Sequence, residues 1–208
     1  MCFSERVSWL TLASAWSGCL ALAAAGEPHL QALAGFLAWV AAMQMVEAML
    51  WRHPGCSETN GLVSGAGAVI NHAEPLVLFV LARCMLRPRS PAAARAALVL
   101  VAASTAVFGA LTVQYLRRPL EDRCTRRTPD GLVWQWNDLG SGTKLYVLFV
   151  AALVATLYAY LPDPWFMIGA VLLTFGASHA MYRNRKMVGS MWCFFAAFLP
   201  WVLVAKTC

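Results

Sequence analysis

The chain has 208 residues, of which 60% are hydrophobic and only 12% are charged, and its net charge is +6 at neutral pH. A soluble domain carries about 25% charged residues, so this chain has roughly half of the charge that a water-facing surface needs. This composition excludes a disordered chain, a coiled coil and an ordinary soluble enzyme. The mean hydropathy of +0.61 indicates instead a chain surrounded by lipid.

Seven apolar segments follow one another, each close to the ~20 residues that a helix needs to cross the hydrocarbon layer. They are residues 8–25, 30–51, 62–86, 95–116, 144–161, 165–182 and 187–205. Helices are expected, because the segments lack alternation and backbone groups in lipid must bond within their own segment. We therefore predict an all-α integral membrane bundle of seven transmembrane helices, multipass, forming a single domain over residues 1–208.

Five of the six connections are short, so consecutive helices are expected to pack antiparallel. The exception is residues 117–143, a long polar loop that contains Trp134 and Trp136. We predict that the stretch with these two tryptophans is amphipathic and lies on the membrane surface. The basic side chains expected to face lipid phosphates there are Arg123, Arg126 and Arg127.

Two features of the loops favour opposite orientations in the membrane. Seven crossings place eleven of the sixteen Lys and Arg residues on the N-terminal side, and the positive-inside rule then favours a cytoplasmic N-terminus. However, Cys56 and Cys124 fall in loops on that same side and could form a disulfide, which requires an oxidising compartment. We give the charge count more weight and predict a cytoplasmic N-terminus. Because the basic residues cluster at segment ends, the net positive charge needs no nucleic-acid partner.

Few polar residues fall inside the predicted spans, where each ionisable side chain costs about 2.5–3.5 kcal/mol on insertion scales. In the second segment, Gln44 and Glu47 share one helix face with Trp51. The full set of candidate pathway residues is Gln44, Glu47, Asn71, His72, Glu74, Gln114 and His179. We expect them to line a polar cleft that opens on the N-terminal side and narrows inward.

Pro75 lies in the middle of the third segment and predicts a helix kink. It cannot donate a backbone hydrogen bond, so it frees the carbonyl of Asn71 four residues earlier. A free carbonyl beside the Glu74 carboxyl and the His72 imidazole is suited to hold a cation, a proton or a water molecule.

A purely structural interpretation of the same residues stays open. Glu47 would then bond to Gln114 or His179 only to fix helix packing, and Glu74 would pair with Arg83 or with another helix. His179 would mark the membrane interface, since the basic stretch 183–186 follows it by one turn.

No cofactor is indicated by the sequence. The chain contains no GxxxxGK[ST], GxGxxG or HExxH pattern, so a nucleotide site or a helix-borne zinc site has no support. A metal-assisted membrane hydrolase would have to gather His72 and His179, with Glu47 and Glu74, from separate helices.

Several short motifs resemble an uncharacterised family of small multipass membrane proteins from microbes, algae and large viruses. The motifs are the start MCFS, the pattern QMVEAMLW at residues 44–51, Cys56 and Asn60 before the sequence NHAEP at 71–75, and Cys124 followed by LVW at 132–134. The resemblance implies a multipass membrane protein but no activity, and in that family the position of Glu74 is often Gln. The positions that it singles out are Cys2, Glu47, Trp51, Cys56, Pro75 and Cys124.

Together these features predict a small membrane channel or transporter for a cation, a proton or a small polar solute. An alternative is an accessory subunit of a larger membrane complex that binds partner helices, lipids or pigments, and a weaker one is the metal-assisted hydrolase. The expected partners are membrane lipids and either further copies of the chain or a larger membrane complex, without nucleic acid.

Overall fold

The fold is that of a computed structural model, in which the described residues are 4–129, 131–137, 142–182 and 187–207. Within these ranges the chain is all-α apart from one short hairpin. Cys2, which the family resemblance singles out, lies outside the described residues, as do Asp130 and residues 138–141 of the long loop.

The helices follow the predicted apolar segments closely. In chain order they are α1 (Glu5–Ala24), α2 (Pro28–Arg52), α3 (Glu58–His72), α4 (Glu74–Met85), α5 (Pro91–Leu116), α6 (Leu120–Arg123), α7 (Gly142–Tyr160), α8 (Trp165–Tyr182), α9 (Val188–Ala196) and α10 (Leu199–Thr207). Between α6 and α7, strand β1 (Arg126–Thr128) pairs antiparallel with β2 (Gly131–Val133), and a 3-10 turn follows at Gln135–Asn137.

The described residues contain five stretches that are long and apolar enough to cross a membrane: α1, α2, α5, α8 and the continuous stretch from α9 to α10. Helices α3 and α4 meet the same criteria only as a pair, which is bent by 47°. The apolar part of α7, Leu145–Tyr160, is shorter. Each predicted segment thus coincides with a helix or a helix pair, but length and composition alone identify five or six spans rather than seven.

Serine side chains set the starts of three helices. The hydroxyl oxygens of Ser4, Ser57 and Ser90 accept hydrogen bonds from backbone N–H groups three residues further on, at 3.1–3.2 Å. Each bond satisfies a donor that the first helical turn would leave without a partner. Proline occupies the first turn of α2 and of α5, where its missing N–H costs nothing.

Helix α2 is the central element of the bundle, and it packs against α1, α3, α4 and α9. Its core-facing side chains include Phe36, Leu37 and Val40 in the first half and Met43 and Leu50 in the second. Any polar side chain on the buried face of α2 is therefore enclosed by several other helices.

One end of the bundle, here called the disulfide end, is closed by the α2–α3 loop and the segment after α5. A disulfide joins Cys56 to Cys124. The Asn60 amide donates to the carbonyls of His53 and Thr125, at 2.8 and 3.2 Å, and its oxygen accepts from the Thr125 N–H at 2.9 Å. Asn60 thus pairs with the Thr125 backbone as a neighbouring strand would and fixes the loop beside α3.

The opposite end of the bundle is organised by Arg89, which lies between α4 and α5, and is here called the Arg89 end. The backbone N–H of Arg89 donates to the carbonyl of Ala159 at 2.7 Å. Its guanidinium donates to the carbonyls of Tyr158, Leu161 and Pro162, at 2.9–3.2 Å. These oxygens at the C-terminus of α7 have no partner within the helix, and a positive charge there also interacts favourably with the helix dipole.

We expect Arg89→Met to lower the free energy of unfolding by about 1–2 kcal/mol, because the end of α7 loses its charged donor. Thermal unfolding of the purified protein in detergent measures the change. Arg87→Met, an exposed arginine in the same loop, is the matched control. Equal effects of the two substitutions would contradict a capping role for Arg89.

Candidate functional site

Five of the seven candidate pathway residues are buried inside the bundle. Gln44 and Glu47 have no exposed surface, and Asn71, His72 and Glu74 are at most 7% exposed. The other two lie elsewhere: His179 is half-buried and Gln114 is exposed.

The expectation that Gln114 lines the cleft is contradicted by the rotation of α5. The buried residues of α5 recur every three or four positions and include Ser104, Phe108 and Thr112. Gln114 comes two residues after Thr112, which places it roughly 200° around the helix axis from that face. The position of Gln114 along its segment predicts its depth but not the direction in which its side chain points.

Glu47 links α2 to α9. Its Oε1 atom accepts a hydrogen bond from the hydroxyl of Ser190, which lies in the first turn of α9 and is also buried. The structural interpretation had suggested Gln114 or His179 as the partner, and the observed donor is a third residue that the sequence did not single out.

Glu74 is held by groups from three other elements. The Asn71 amide donates to Glu74 Oε1 at 3.3 Å, and Asn71 Oδ1 in turn accepts from the hydroxyl of Tyr146 on α7 at 3.1 Å. The Cys193 thiol on α9 lies 4.0 Å from the same Glu74 oxygen. Arg83, the alternative partner, is exposed.

The two carboxyl groups contact successive turns of one helix. Ser190 and Cys193 are three residues apart on α9, so their side chains share a face. One set of polar side chains therefore extends from α2 across α9 to the α3–α4 junction and on to α7. This set, here called the buried polar chain, consists of Glu47, Ser190, Cys193, Glu74, Asn71 and Tyr146.

The bend between α3 and α4 places Glu74 at the start of a helix. Pro75, the second residue of α4, lacks the N–H that would continue the α3 ladder. The indole N–H of Trp39 on α2 donates to the carbonyl of Ile70 at 2.9 Å, beside the interrupted turn. The first turn of α4 presents backbone N–H groups, and the positive end of its dipole favours a carboxylate at this point.

His72 belongs to a different environment from Glu74. Its Nδ1 lies 2.6 Å from the Thr112 hydroxyl on α5, and that hydroxyl donates to the carbonyl of Phe108 at 2.7 Å. Because the Thr112 hydrogen is donated to Phe108, the Thr112 oxygen accepts a hydrogen bond from the Nδ1–H group of His72. In a neutral imidazole this leaves the lone pair on Nε2. The sequence placed the imidazole beside the carboxyl, whereas this contact directs the ring towards α5.

A small cavity adjoins Glu74. Its volume of about 20 Å³ exceeds the ~10–15 Å³ that one water molecule requires. Most of its wall is apolar and includes Phe36, Leu37, Val40 and Leu153. The buried polar chain thus borders a cavity large enough for one water molecule. The cavity lies between Glu74 and the first half of α2.

Trp134 and Trp136 are packed inside the disulfide end, which corrects the prediction of a stretch lying on the membrane surface. Both are 1% exposed, and their rings stack with centroids 4.8 Å apart. A Cβ on Gly67 would lie 2.9 Å from Trp136 and from Val46, so the absence of a side chain at Gly67 makes room for the indole. The two tryptophans close the bundle between α2, α3 and α5.

Arg127, one of the arginines expected to face lipid phosphates, also differs from the prediction. Arg127 lies over the ring of Trp51 at 4.8 Å, in a cation–π contact at the rim of the disulfide end. Trp51 is half-buried. Arg127 therefore supports the end of α2, which is one reason for an aromatic residue at position 51.

His179 stacks on Phe175, one turn earlier on α8, with ring centroids 6.3 Å apart. Within the described part of the chain, no group of three or more His, Cys, Asp and Glu side chains is placed to share a metal ion. The ligand set suggested by His72, His179, Glu47 and Glu74 is therefore not assembled among these residues.

Sequence reasoning missed four members of the site: Ser190, Cys193, Tyr146 and Thr112. A hydroxyl in an apolar helix commonly bonds to its own backbone, as Thr156 does with the carbonyl of Ala152 at 2.9 Å. Only the identity of the neighbouring helix shows that Ser190 and Tyr146 bond elsewhere. The sequence does show a polar side chain in an otherwise apolar segment. Such a side chain indicates that a hydrogen-bond partner exists, but it does not indicate which residue that partner is.

Comparison of the chain with protein-family models, with curated proteins and with solved structures finds no match in any of the three.

We expect Ser190→Ala to lower the free energy of unfolding by about 1–3 kcal/mol, because a buried carboxyl loses a donor. Ser178→Ala is the matched control, since the Ser178 hydroxyl is buried and has no hydrogen-bond partner among the described residues. Its replacement is expected to change stability little. Chemical unfolding in mixed micelles measures both, and a Ser190 effect no larger than that of Ser178 would contradict the bond to Glu47.

Proposed function

We propose that this chain is a small membrane channel or transporter for a cation, a proton or a small polar solute. The observation that carries the proposal is the buried polar chain, which keeps two carboxyl groups inside an otherwise apolar bundle. Ionisable groups in the hydrocarbon layer are expensive, and in membrane proteins they commonly mark ion and substrate pathways.

The interrupted α3–α4 pair gives independent support. Broken helices within the membrane are tolerated where they are buried in protein or line a cavity, and transporters use such half-helix ends at their binding sites. Here the break lies between His72 and Glu74, and the Glu74 carboxyl adjoins both the break and the cavity.

We further propose that the chain crosses the membrane seven times. The bent α3–α4 pair would form one span, and α9 with α10 would form the last. Helix α7 has 19 residues, which corresponds to roughly 28 Å of helix and is close to the ~30 Å of hydrocarbon. The pathway would then connect the disulfide end with the Arg89 end.

Flux into proteoliposomes tests the function. We expect vesicles with the purified protein to pass at least one of three probes, namely protons, K⁺ or Na⁺, and glycerol, faster than vesicles without it. Glu47→Gln and Glu74→Gln are expected to reduce that flux, because each removes a carboxyl from the buried polar chain. Glu58→Gln, at an exposed position, is the control. Folded protein that passes none of the probes would contradict the proposal.

A second candidate function is that of an accessory subunit. Gly169 and Gly176 lie seven residues apart on α8, and nothing lies within 4 Å of a Cβ at either position. Small residues on one helix face allow another transmembrane helix to approach closely. A protein without flux that migrates in native membranes as part of a larger assembly would favour this function over transport.

For orientation, we propose that the disulfide end faces an oxidising compartment. The Cys56–Cys124 bond closes this end, and cytosolic thiols are kept reduced. This proposal opposes the charge count, which favours a cytoplasmic N-terminus. Several of the counted arginines belong to the folded hairpin and its flanks, including Arg126 and Arg127, so local packing also accounts for their presence.

Labelling in intact cells distinguishes the two orientations. In a variant that keeps only Cys56 and Cys124, with every other cysteine replaced by Ser, an impermeant maleimide is expected to react from outside after treatment with an impermeant reductant. A second variant that keeps only Cys84, which is exposed near the end of α4, reports on the Arg89 end. Labelling that requires permeabilised cells for the Cys56 and Cys124 variant would overturn the proposed orientation.

A further inference from the structure

We propose that the transported species is a proton, and that the small cavity beside Glu74 is the gate at which the proton passes between the buried polar chain and the Arg89 end. This inference rests on the proposed function and selects one of its three substrate classes. It is carried by the size of the cavity, by the small number of oxygens in its wall and by the position of its apolar wall.

The size of the cavity excludes a larger solute from this site. The cavity that the described residues form beside Glu74 measures about 20 Å³, which holds roughly one water molecule and is too small for an organic solute. A proton, in contrast, needs no space of its own, because it moves from one hydrogen-bonded oxygen to the next.

The chemistry of the wall disfavours a metal cation. A cation that leaves water needs several oxygens to replace its hydration shell. The Thr174 hydroxyl donates to the carbonyl of Ala170 at 2.7 Å and accepts from the Trp192 indole at 3.0 Å, so one of its two lone pairs is left for a guest. Besides that lone pair, the described side chains of the wall offer the two oxygens of the Glu74 carboxyl and the Cys193 thiol, which are fewer oxygens than a hydration shell supplies.

The members of the buried polar chain are suited to a proton. Glu47, Ser190, Cys193, Glu74 and Tyr146 each carry an exchangeable hydrogen in at least one protonation state. A proton that arrives from water in the cavity converts the Glu74 carboxylate to the carboxylic acid. Its release towards α9 restores the carboxylate, so one proton moves and no group is oxidised or reduced. A bridging water molecule completes the step between the two turns of α9.

The apolar wall supplies the gate. Phe36, Leu37 and Val40 lie in the first half of α2, and Met167 and Val171 lie in the first half of α8, so this wall extends from Glu74 towards the Arg89 end. A cavity with a mostly apolar wall holds water weakly, and dewetting closes hydrophobic constrictions in channels. Entry of water into the cavity would therefore connect Glu74 with the Arg89 end, and its loss would disconnect them.

The decisive experiment compares proton flux with cation flux in the same proteoliposomes. A pH-sensitive dye inside the vesicles reports protons under a K⁺ diffusion potential set by valinomycin, and parallel vesicles report Na⁺ and glycerol. We expect proton flux alone, reduced about tenfold or more by Glu74→Gln, which corresponds to about 1.4 kcal/mol in the barrier.

A gain-of-function variant tests the gate itself. Val40→Thr keeps the side-chain volume nearly unchanged but adds a hydroxyl to the cavity wall, so water enters more readily and proton flux is expected to rise several-fold. Val99→Thr is the matched control, because Val99 is 65% exposed on α5. Melting temperatures of both variants show that they are folded, and Glu74→Gln keeps the inference testable if Val40→Thr does not fold.

The outcomes separate this inference from the proposed function. Flux of Na⁺ or glycerol without protons would overturn the proton assignment and leave transport standing. Proton flux that is unchanged in Glu74→Gln would overturn the pathway through Glu74, and an unchanged flux in folded Val40→Thr would overturn the gate. The absence of every flux would remove the proposed function together with the inference.

Discussion

The apolar interior of the bundle solvates polar groups poorly, so the polar groups inside it depend on partners from the protein. This constraint explains contacts that are far apart in the fold. Trp39 bonds to the Ile70 carbonyl beside the interrupted turn, and Arg89 covers the last carbonyls of α7. Glu47 and Glu74 are subject to the same constraint. Helix α9 supplies a partner to each of them, Ser190 to Glu47 and, one turn further on, Cys193 to Glu74.

The two halves of the bundle consequently differ in polarity. From Glu47 to Glu74 the interior contains hydroxyl, thiol, amide and carboxyl groups, whereas beyond Glu74 the wall is built from residues such as Leu37 and Leu153. The break at Ala73 lies at the boundary between these halves, and it gives Glu74 a helix N-terminus at that depth. Among the described residues, the cavity wall beyond Glu74 therefore offers fewer hydrogen-bonding groups than the interior between Glu47 and Glu74.

The sequence allowed the places of the helices to be predicted, because hydropathy along the chain records which stretches avoid water. It did not reveal how each helix is rotated. Helix α5 is apolar towards both lipid and core, so no stripe marks its inner face, and Gln114 was assigned to the wrong side. Ser190 and Tyr146 escaped notice because their partners come from helices distant in sequence. Trp134 and Trp136 were misplaced because interfacial tryptophans are common and the space at Gly67 becomes visible only in three dimensions.

The Cys56–Cys124 bond also bears on the order in which the protein is assembled. Both cysteines precede α7, so the ring that they close, which contains α3, α4 and α5, can be completed before the rest of the chain is synthesised. Early helices of a growing chain can fold as a unit while later ones are still being made. The surface around Glu47 and Glu74 can then form before α9 is synthesised, and α9 encloses both carboxyl groups through Ser190 and Cys193 when it docks.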